Sequence, residues 1–223
     1  MTIISIKSGA EGEPQRIELS GGSFFSFKTC YLPPVFVNED LYTPGTAEGR
    51  QISAEEKDAL GFASACLRAE KAALQLIARA EQSVFGLTRK LKKRRHNPAC
   101  VSAVIARLCE MELVDDRRYA RLWLETKISR QATSPWRLLT ALRSRGIDRA
   151  DADSVLKEML DEETEFRLLE RYAEKLARKS NRRRAEETAG QDSEEAAHRA
   201  LKYQLKGEGF SSSVIERYFD EWE

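Results

Sequence analysis

The chemistry-bearing residues of this 223-residue chain are cations rather than nucleophiles or metal ligands. Arg89, Lys90, Lys92, Lys93 and Arg94, continued by Arg95, fall together at the end of one predicted helix. Arg117, Arg118, Arg121, Lys127 and Arg130 line the next segment, and Arg137, Arg143 and Arg145 follow. Massed guanidinium and ammonium groups bind phosphates and carboxylates, so the expected partner is acidic or polyanionic. A net charge of only +1 hides this: residues 84–149 carry a net of +10, against −2 for 1–52, −1 for 53–83 and −6 for 150–223. A solvated helical face is the plain alternative, but +10 over 66 residues costs self-repulsion that an ordinary surface avoids.

Catalytic chemistry finds little to stand on. His96 and His198 are the two histidines, neither in an HExxH-like helix pair, and His96 beside Asn97-Pro98 reads as a structural or solvent residue. Cys30, Cys66, Cys100 and Cys109 include no CxxC pair; Cys100 and Cys109, nine apart on one helix, point to opposite faces, so all four are expected to be free thiols rather than metal ligands. No GxxxxGK[ST] loop is present, and KGEGF at 206–210 reads as a helix end with too few amides to cradle phosphates. Asp115-Asp116 sits directly before a helix, where negative charge meets the positive end of the dipole, so it is read as capping. No enzyme, cofactor, metal or small-molecule substrate is therefore expected.

The chain around these cations divides in two. Over residues 1–52, Ile4 and Ile6, Ile17 and Leu19, and Phe25 and Phe27 alternate around a Gly21-Gly22 turn, predicting a small antiparallel β module. Beyond it, the prolines of 30–37 argue for an edge or loop, and Tyr42-Thr43-Pro44-Gly45 for a turn. From Ser53 the apolar period becomes about 3.6, opened by a Ser53/Glu56 capping box. About nine helices follow, with Pro98 and Pro135 in first turns, where a missing N–H costs nothing.

Those helices repeat. Aligning Leu91, Leu142 and Leu205 brings Arg95, Gly146 and Gly209 to the place of a left-handed helix-closing residue, then His96, Ile147 and Phe210, then the N-caps Asn97, Asp148 and Ser211. An apolar stripe recurs after each cap: Val101, Val104, Ile105, Leu108; Ala152, Val155, Leu156, Met159; Ile215, Tyr218, Phe219, Trp222. An upstream helix precedes each pair, marked by Leu74, Leu76 and Ile77, by Tyr119, Trp123 and Leu124, and by Phe166, Leu169 and Tyr172. The expected fold is mainly α: an elongated tandem array of three three-helix repeats after the β module. Its expected divisions are 1–52, 53–114 with a leading helix, 115–160, and 161–223 with a mobile insertion at 180–193. Tyr119 and Trp123, at repeat core positions, are read as core rather than as base-stacking platforms; Trp136, after a proline, is left open.

The second repeat, Val114-Asp115-Asp116-Arg117-Arg118-Tyr119-Ala120-Arg121-Leu122-Trp123-Leu124, then Ser134-Pro135-Trp136-Arg137-Leu138, then Leu142-Arg143-Ser144-Arg145-Gly146-Ile147, resembles the RecX family of RecA regulators. The DD-x-R-Y/F-A-x-x-W run, the Pro-led helix and the L-x-x-K/R-G-I ending match in order and spacing, and the tandem units from about 70 to 223 agree. The chain departs from that pattern at Arg95 and Ser134, each in place of a usual glycine, at Arg145 in place of lysine, and in the insertion. At Arg95 the turn either strains by about 1 kcal/mol or uses another cap. The resemblance implies binding along the groove of the RecA filament and restraint of its ATPase, strand-exchange and coprotease activities, with single- or double-stranded DNA met directly or through RecA. A sequence-tolerant DNA binder acting without RecA is the first alternative, and a helical scaffold for another acidic protein the second. No apolar run reaches the ~18 residues of a membrane span. The first residues lack a secretory signal, so a cytoplasmic protein is expected.

Overall fold

The change of period at Ser53 is where the computed structural model passes from strands to helices. It describes residues 1–7, 13–37, 47–184 and 194–221. Among these the chain is mainly helical, with a small three-stranded antiparallel sheet at its N-terminus. The strands are β1 (Ile3–Lys7), β2 (Gln15–Leu19) and β3 (Phe24–Phe27), in the order β1-β2-β3. Nine helices follow among the described residues: α1 (Ala54–Ile77), α2 (Val84–Lys93), α3 (Pro98–Glu110), α4 (Asp116–Arg130), α5 (Pro135–Arg143), α6 (Arg149–Met159), α7 (Glu162–Arg184), α8 (Glu194–Gly207) and α9 (Ser212–Asp220). Two compact units divide the chain, Met1–Asp115 and Asp116–Glu223, each with its own hydrophobic cluster.

In the first unit, Gly21 and Gly22 adopt φ of +109° and +78° and turn β2 into β3, as their lack of a Cβ allows. Ile6, Ile17, Leu19 and Phe27 are buried as the alternation predicts, and Phe25 is half-buried. Ile4 is not: it is 54% exposed, and Ile3 takes the inward place. The register shifts between Ile3 and Ser5, and this irregularity resets the two-residue period, so sequence alternation points the wrong residue inward. Residues 29–31 and 34–36 form short 3-10 turns instead of a further strand, consistent with the prolines. The expected turn at 42–45 lies outside the described residues.

The capping box forms as read: the Glu56 N–H donates to Ser53 Oγ at 3.1 Å and the Ser53 N–H to Glu56 Oε2 at 3.0 Å. Burial alone would raise the Glu56 pKa, but Arg50, 2.8 Å away, and the Ser53 amide outweigh it and hold the carboxyl below its usual range. Helix α1 packs on β3 and α3 through Ala59, Leu60, Ala63, Cys66, Ala69 and Ala73, so the β module shares one core with the helices that follow. Leu74, expected inside, is exposed, and Leu76 and Ile77 are only half-buried. Ala73 holds the inward position of that turn and Leu74 lies 100° round from it.

The repeat is visible in the turns. His96 N donates to Leu91 O, Ile147 N to Leu142 O and Phe210 N to Leu205 O, each at 3.3 Å. Arg95 N to Lys92 O, Gly146 N to Arg143 O and Gly209 N to Lys206 O supply the inner bonds of the same closing motif. Arg95 takes φ +63°, beside +83° at Gly146 and +87° at Gly209. Of the two outcomes at Arg95 the strained one is therefore found: an arginine sits in the left-handed conformation.

Asn97 and Asp148 cap the next helices through Ala99 N and Ala150 N, both at 2.9 Å. Ser211 does not cap with its side chain; its own N–H donates to Glu165 Oε1 at 2.6 Å, and its hydroxyl lies 3.3 Å from that of Ser213. The stripes are buried except Met159 and Phe219, which are half-buried, and Trp222, which is outside the described residues. In the second unit α4 and α5 pack on α6, and α7 and α8 on α9. Helix α7 continues to Arg184, so 180–184, expected within the insertion, is helical; Arg-rich sequence is a good helix former. The remainder of that insertion, 185–193, is outside the described residues.

Candidate polyanion-binding surface

Helix α2 starts at Ser83, whose Oγ accepts from Gly86 N at 3.1 Å, and buries Leu87 and Leu91 one turn apart. That stripe turns Arg89, Lys90, Lys92 and Lys93 outward, and all four are exposed, as are Arg94 and Arg95. Lys90 Nζ donates to Gln82 Oε1 at 2.6 Å, and the buried Gln82 amide donates to Ala80 O at 2.8 Å, so this lysine is tied to the loop before the helix. Arg89 lies 6.0 Å from the Phe85 ring centroid, the outer limit of a cation–π contact. The cluster stabilises the negative end of α2 and leaves most of its charge in solvent.

In the second unit the cations do not form a single row. At 100° per residue, Arg117 continues the line of the buried Ala120, Leu124 and Ile128 at the start of α4, Arg121 flanks that line on one side and Lys127 on the other, and Arg118 and Arg130 lie farther round. Arg117 and Arg121 converge on one carboxylate of α6. Arg121 Nη2 reaches Glu158 Oε2 at 2.5 Å, Arg117 Nη2 bonds Glu158 Oε1, and Arg117 also donates to Ser154 Oγ at 3.1 Å. Hydrogen bonds from Arg121 and then Arg117 hold the Glu158 carboxyl below its usual range. Glu158 is part-exposed, so the arginine pair presents an anion seat occupied by the protein's own carboxylate.

Trp123 gathers two more cations. Arg145 Cζ lies 4.4 Å and Lys127 Nζ 5.6 Å from its ring centroid, and Arg145 Nη1 donates to Ala141 O at 2.7 Å. Trp123 and Tyr119 pack half-buried against the unit's core, consistent with the core reading. Trp136 is 57% exposed on the first turn of α5. Arg130 and Arg143 are exposed, with no ion pair or hydrogen bond from their side chains among the described residues.

Arg137 belongs to a node centred on Glu208. Ser134 Oγ donates to Glu208 Oε2 at 2.5 Å, Tyr172 OH to Oε1 at 2.8 Å, and Arg137 reaches both oxygens at 3.3 Å. Burial would raise the Glu208 pKa; the bonds from Ser134, Tyr172 and Arg137 outweigh it and hold the carboxyl low. The Tyr172 hydroxyl is pushed up to about 12, by burial first and by its bond to Glu208 second. Trp136 N donates to Glu208 O at 3.0 Å, so the residue also satisfies a free amide of α5. Ser134, where the family pattern has glycine, is fully buried and caps α5 through Arg137 N.

Sequence reasoning missed Glu158 and Glu208. Their partners lie 36 to 74 residues away, and no local spacing marks them. It also passed over Arg199, Lys202, Tyr203 and Lys206, all exposed on α8 and masked by the net acidity of 150–223. All four cysteines are free, and among the described residues no group of three or more His, Cys, Asp and Glu side chains is placed to hold a metal ion. No helix among the described residues is long and apolar enough to cross a membrane.

Comparisons with known proteins converge on one name. The family model for the RecX second three-helix domain matches residues 115–156. Regulatory protein RecX of Treponema pallidum (strain Nichols) is 36% identical over 131 residues, 59% of this chain and 80% of that protein. Regulatory protein RecX of Halorhodospira halophila is 36% identical over 102 residues, 46% of this chain and 59% of that protein. A crystal structure of regulatory protein RecX superposes with a TM-score of 0.71 at 22% identity, covering 98% of both chains. RecX from Lactobacillus salivarius gives 0.56 at 22% identity over 70% of this chain and 96% of that one. At such identities the structural likeness speaks for the fold.

Proposed function

This chain belongs to the RecX family of regulatory proteins, and on that premise we propose that it binds the RecA nucleoprotein filament and restrains its ATP hydrolysis, strand exchange and coprotease activity. The observation that carries the reading is the exposure of Arg130 and Arg143 inside 115–156, the segment that matches the family's second three-helix domain. These groups face solvent while Leu124, Leu138 and Leu142 hold the helices from within, so a partner reaches them without unfolding anything. The exposed end of α2, with Arg89, Lys90, Lys92, Lys93 and Arg94, supplies further positive charge.

A RecA filament on DNA offers both phosphates and acidic side chains, and the proposed contact pairs these with the exposed cations. Within the second unit, Arg117, Arg118, Arg121, Lys127, Arg137 and Arg145 complete the proposed contact. Of these, Arg117 and Arg121 must exchange Glu158 for a partner anion, and Lys127 and Arg145 are oriented by Trp123. The array acts by binding, without chemistry of its own: bridging neighbouring RecA protomers, it blocks duplex entry or filament extension, or promotes disassembly. The proposed location is the cytoplasm, where the filament is.

Filament binding tests this. Fluorescently labelled RecA filaments on single-stranded DNA are titrated with wild-type protein and with Arg130→Glu/Arg143→Glu, a pair whose side chains make no ion pair or hydrogen bond among the described residues. The expected result is saturable binding that the double variant weakens at least tenfold, with unchanged circular dichroism. Wild-type protein that ignores the filament, or a variant that binds it equally, contradicts the proposal.

A further inference from the structure

On α8, Leu205 is buried and Leu201 half-buried, and this inward side fixes what the rest of the helix shows to solvent. At 100° per residue, Lys202, Lys206, Arg199 and Tyr203 occupy an arc of roughly 100° beside it. All four are exposed, and Tyr203 is 84% exposed, the most of any large apolar or aromatic side chain described. Arg199, Lys202 and Lys206 lie four before, one before and three after this tyrosine, the first and last being its neighbours on the helix surface. Lys202 Nζ is 5.1 Å from the Phe219 ring centroid, so it is held at the core side of the arc. Among the described side chains of α8 none is acidic.

We propose that this face of α8 binds single-stranded DNA, with Tyr203 as the platform on which one base stacks and Arg199, Lys202 and Lys206 as contacts to the flanking phosphates. An exposed ring amid cations matches the two faces of an unpaired strand, an apolar base and a charged backbone. Arg199 to Lys206 spans about 10 Å along the helix axis, room for roughly three nucleotides. A duplex offers the same phosphates but keeps its bases stacked, so it has no use for the tyrosine. An acidic protein segment has charge to pair with the three cations and no base to lay on the ring. The inference stands apart from filament regulation, because it concerns naked DNA and residues outside the family-matched segment.

The test is made without RecA, so its failure and that of filament binding are separate results. Full-length protein is titrated into a fluorescein-labelled thymidine oligonucleotide of about 30 nucleotides, into a duplex of equal length, and into a labelled polyglutamate peptide. Tyr203→Ala should weaken single-strand binding about tenfold, as loss of one stacked base does. Tyr203→Phe should restore it, and duplex binding should change less than twofold. Lys206→Glu should weaken single-strand binding and reduce its salt dependence by about one phosphate contact. Wild-type protein that leaves the oligonucleotide unbound overturns the proposal, as does Tyr203→Ala binding it normally or losing duplex affinity equally. Polyglutamate bound as tightly, with the same loss in Tyr203→Ala, overturns it in favour of an acidic protein partner.

Discussion

Replacing Arg95 with glycine should make the first unit more stable, although it removes a residue from a helix end. Arg95 holds φ +63° and closes α2 with the same bond pattern that Gly146 and Gly209 supply elsewhere. The left-handed conformation costs an L-residue about 1–2 kcal/mol. Glycine removes that cost but gives the unfolded chain about 0.4–1 kcal/mol more freedom, leaving a net gain of roughly 0.5–1 kcal/mol. The reciprocal change, Gly146→Ala, should lose about as much in the second unit. Arg95→Ala separates strain from charge: it relieves crowding among Lys92, Lys93 and Arg94 but keeps the left-handed turn, and should fall well short of the glycine variant. Urea denaturation followed by far-ultraviolet circular dichroism measures the three. Tryptophan fluorescence reads the second unit alone, since Trp123, Trp136 and Trp222 all lie in it. A glycine variant no more stable than the alanine one, or a Gly146→Ala without loss, would mean that the left-handed turn carries no such strain.

Further outcomes follow from the second unit. Glu208→Gln should cost about 2–3 kcal/mol, because a largely buried carboxylate receives charged or strong bonds from Ser134, Tyr172 and Arg137. The folded Glu208 pKa lies below the unfolded one, so its contribution is full above the unfolded value and fades as pH falls through the folded value. Urea midpoints between pH 7 and ~pH 3 should therefore fall more steeply in wild type than in Glu208→Gln. Glu158→Gln releases Arg117 and Arg121 and should raise affinity for an anionic partner roughly two- to fivefold, with α-helix content unchanged by circular dichroism. Leu142→Ala, in a fully buried repeat position, should cost about 2–5 kcal/mol by urea denaturation, whereas Leu122→Ala on the exposed side of α4 should cost under ~1 kcal/mol.

What the sequence made legible is what short-range physics decides. The Ser53/Glu56 box, the Asn97 and Asp148 caps and the left-handed residues at 95, 146 and 209 all act within a few residues, and the structure places them as spacing requires. The β irregularity at Ile3–Ser5 was hidden because it depends on which residue of β2 each residue of β1 faces. Ser211 looked like the other caps, but a carboxylate 46 residues away claims its amide. The cations were easy to find and hard to sort. Type and position put Arg117, Arg121 and Arg137 in the same class as Arg130 and Arg143; only the arrival of Glu158 and Glu208 from other helices separates held arginines from exposed ones. The α8 face escaped notice because segment charge averages Arg199, Lys202 and Lys206 with acidic residues elsewhere between 150 and 223.

If this protein restrains RecA through its exposed cations, as proposed, RecA-catalysed ATP hydrolysis on single-stranded DNA must fall in its presence. The chain is titrated at amounts below one per RecA protomer, beside Arg130→Glu/Arg143→Glu at equal concentration. Dose-dependent inhibition by the wild type that the variant largely loses is the predicted result. A hydrolysis rate that the wild-type protein leaves unchanged, or that both proteins lower equally, would rule out restraint through these cations.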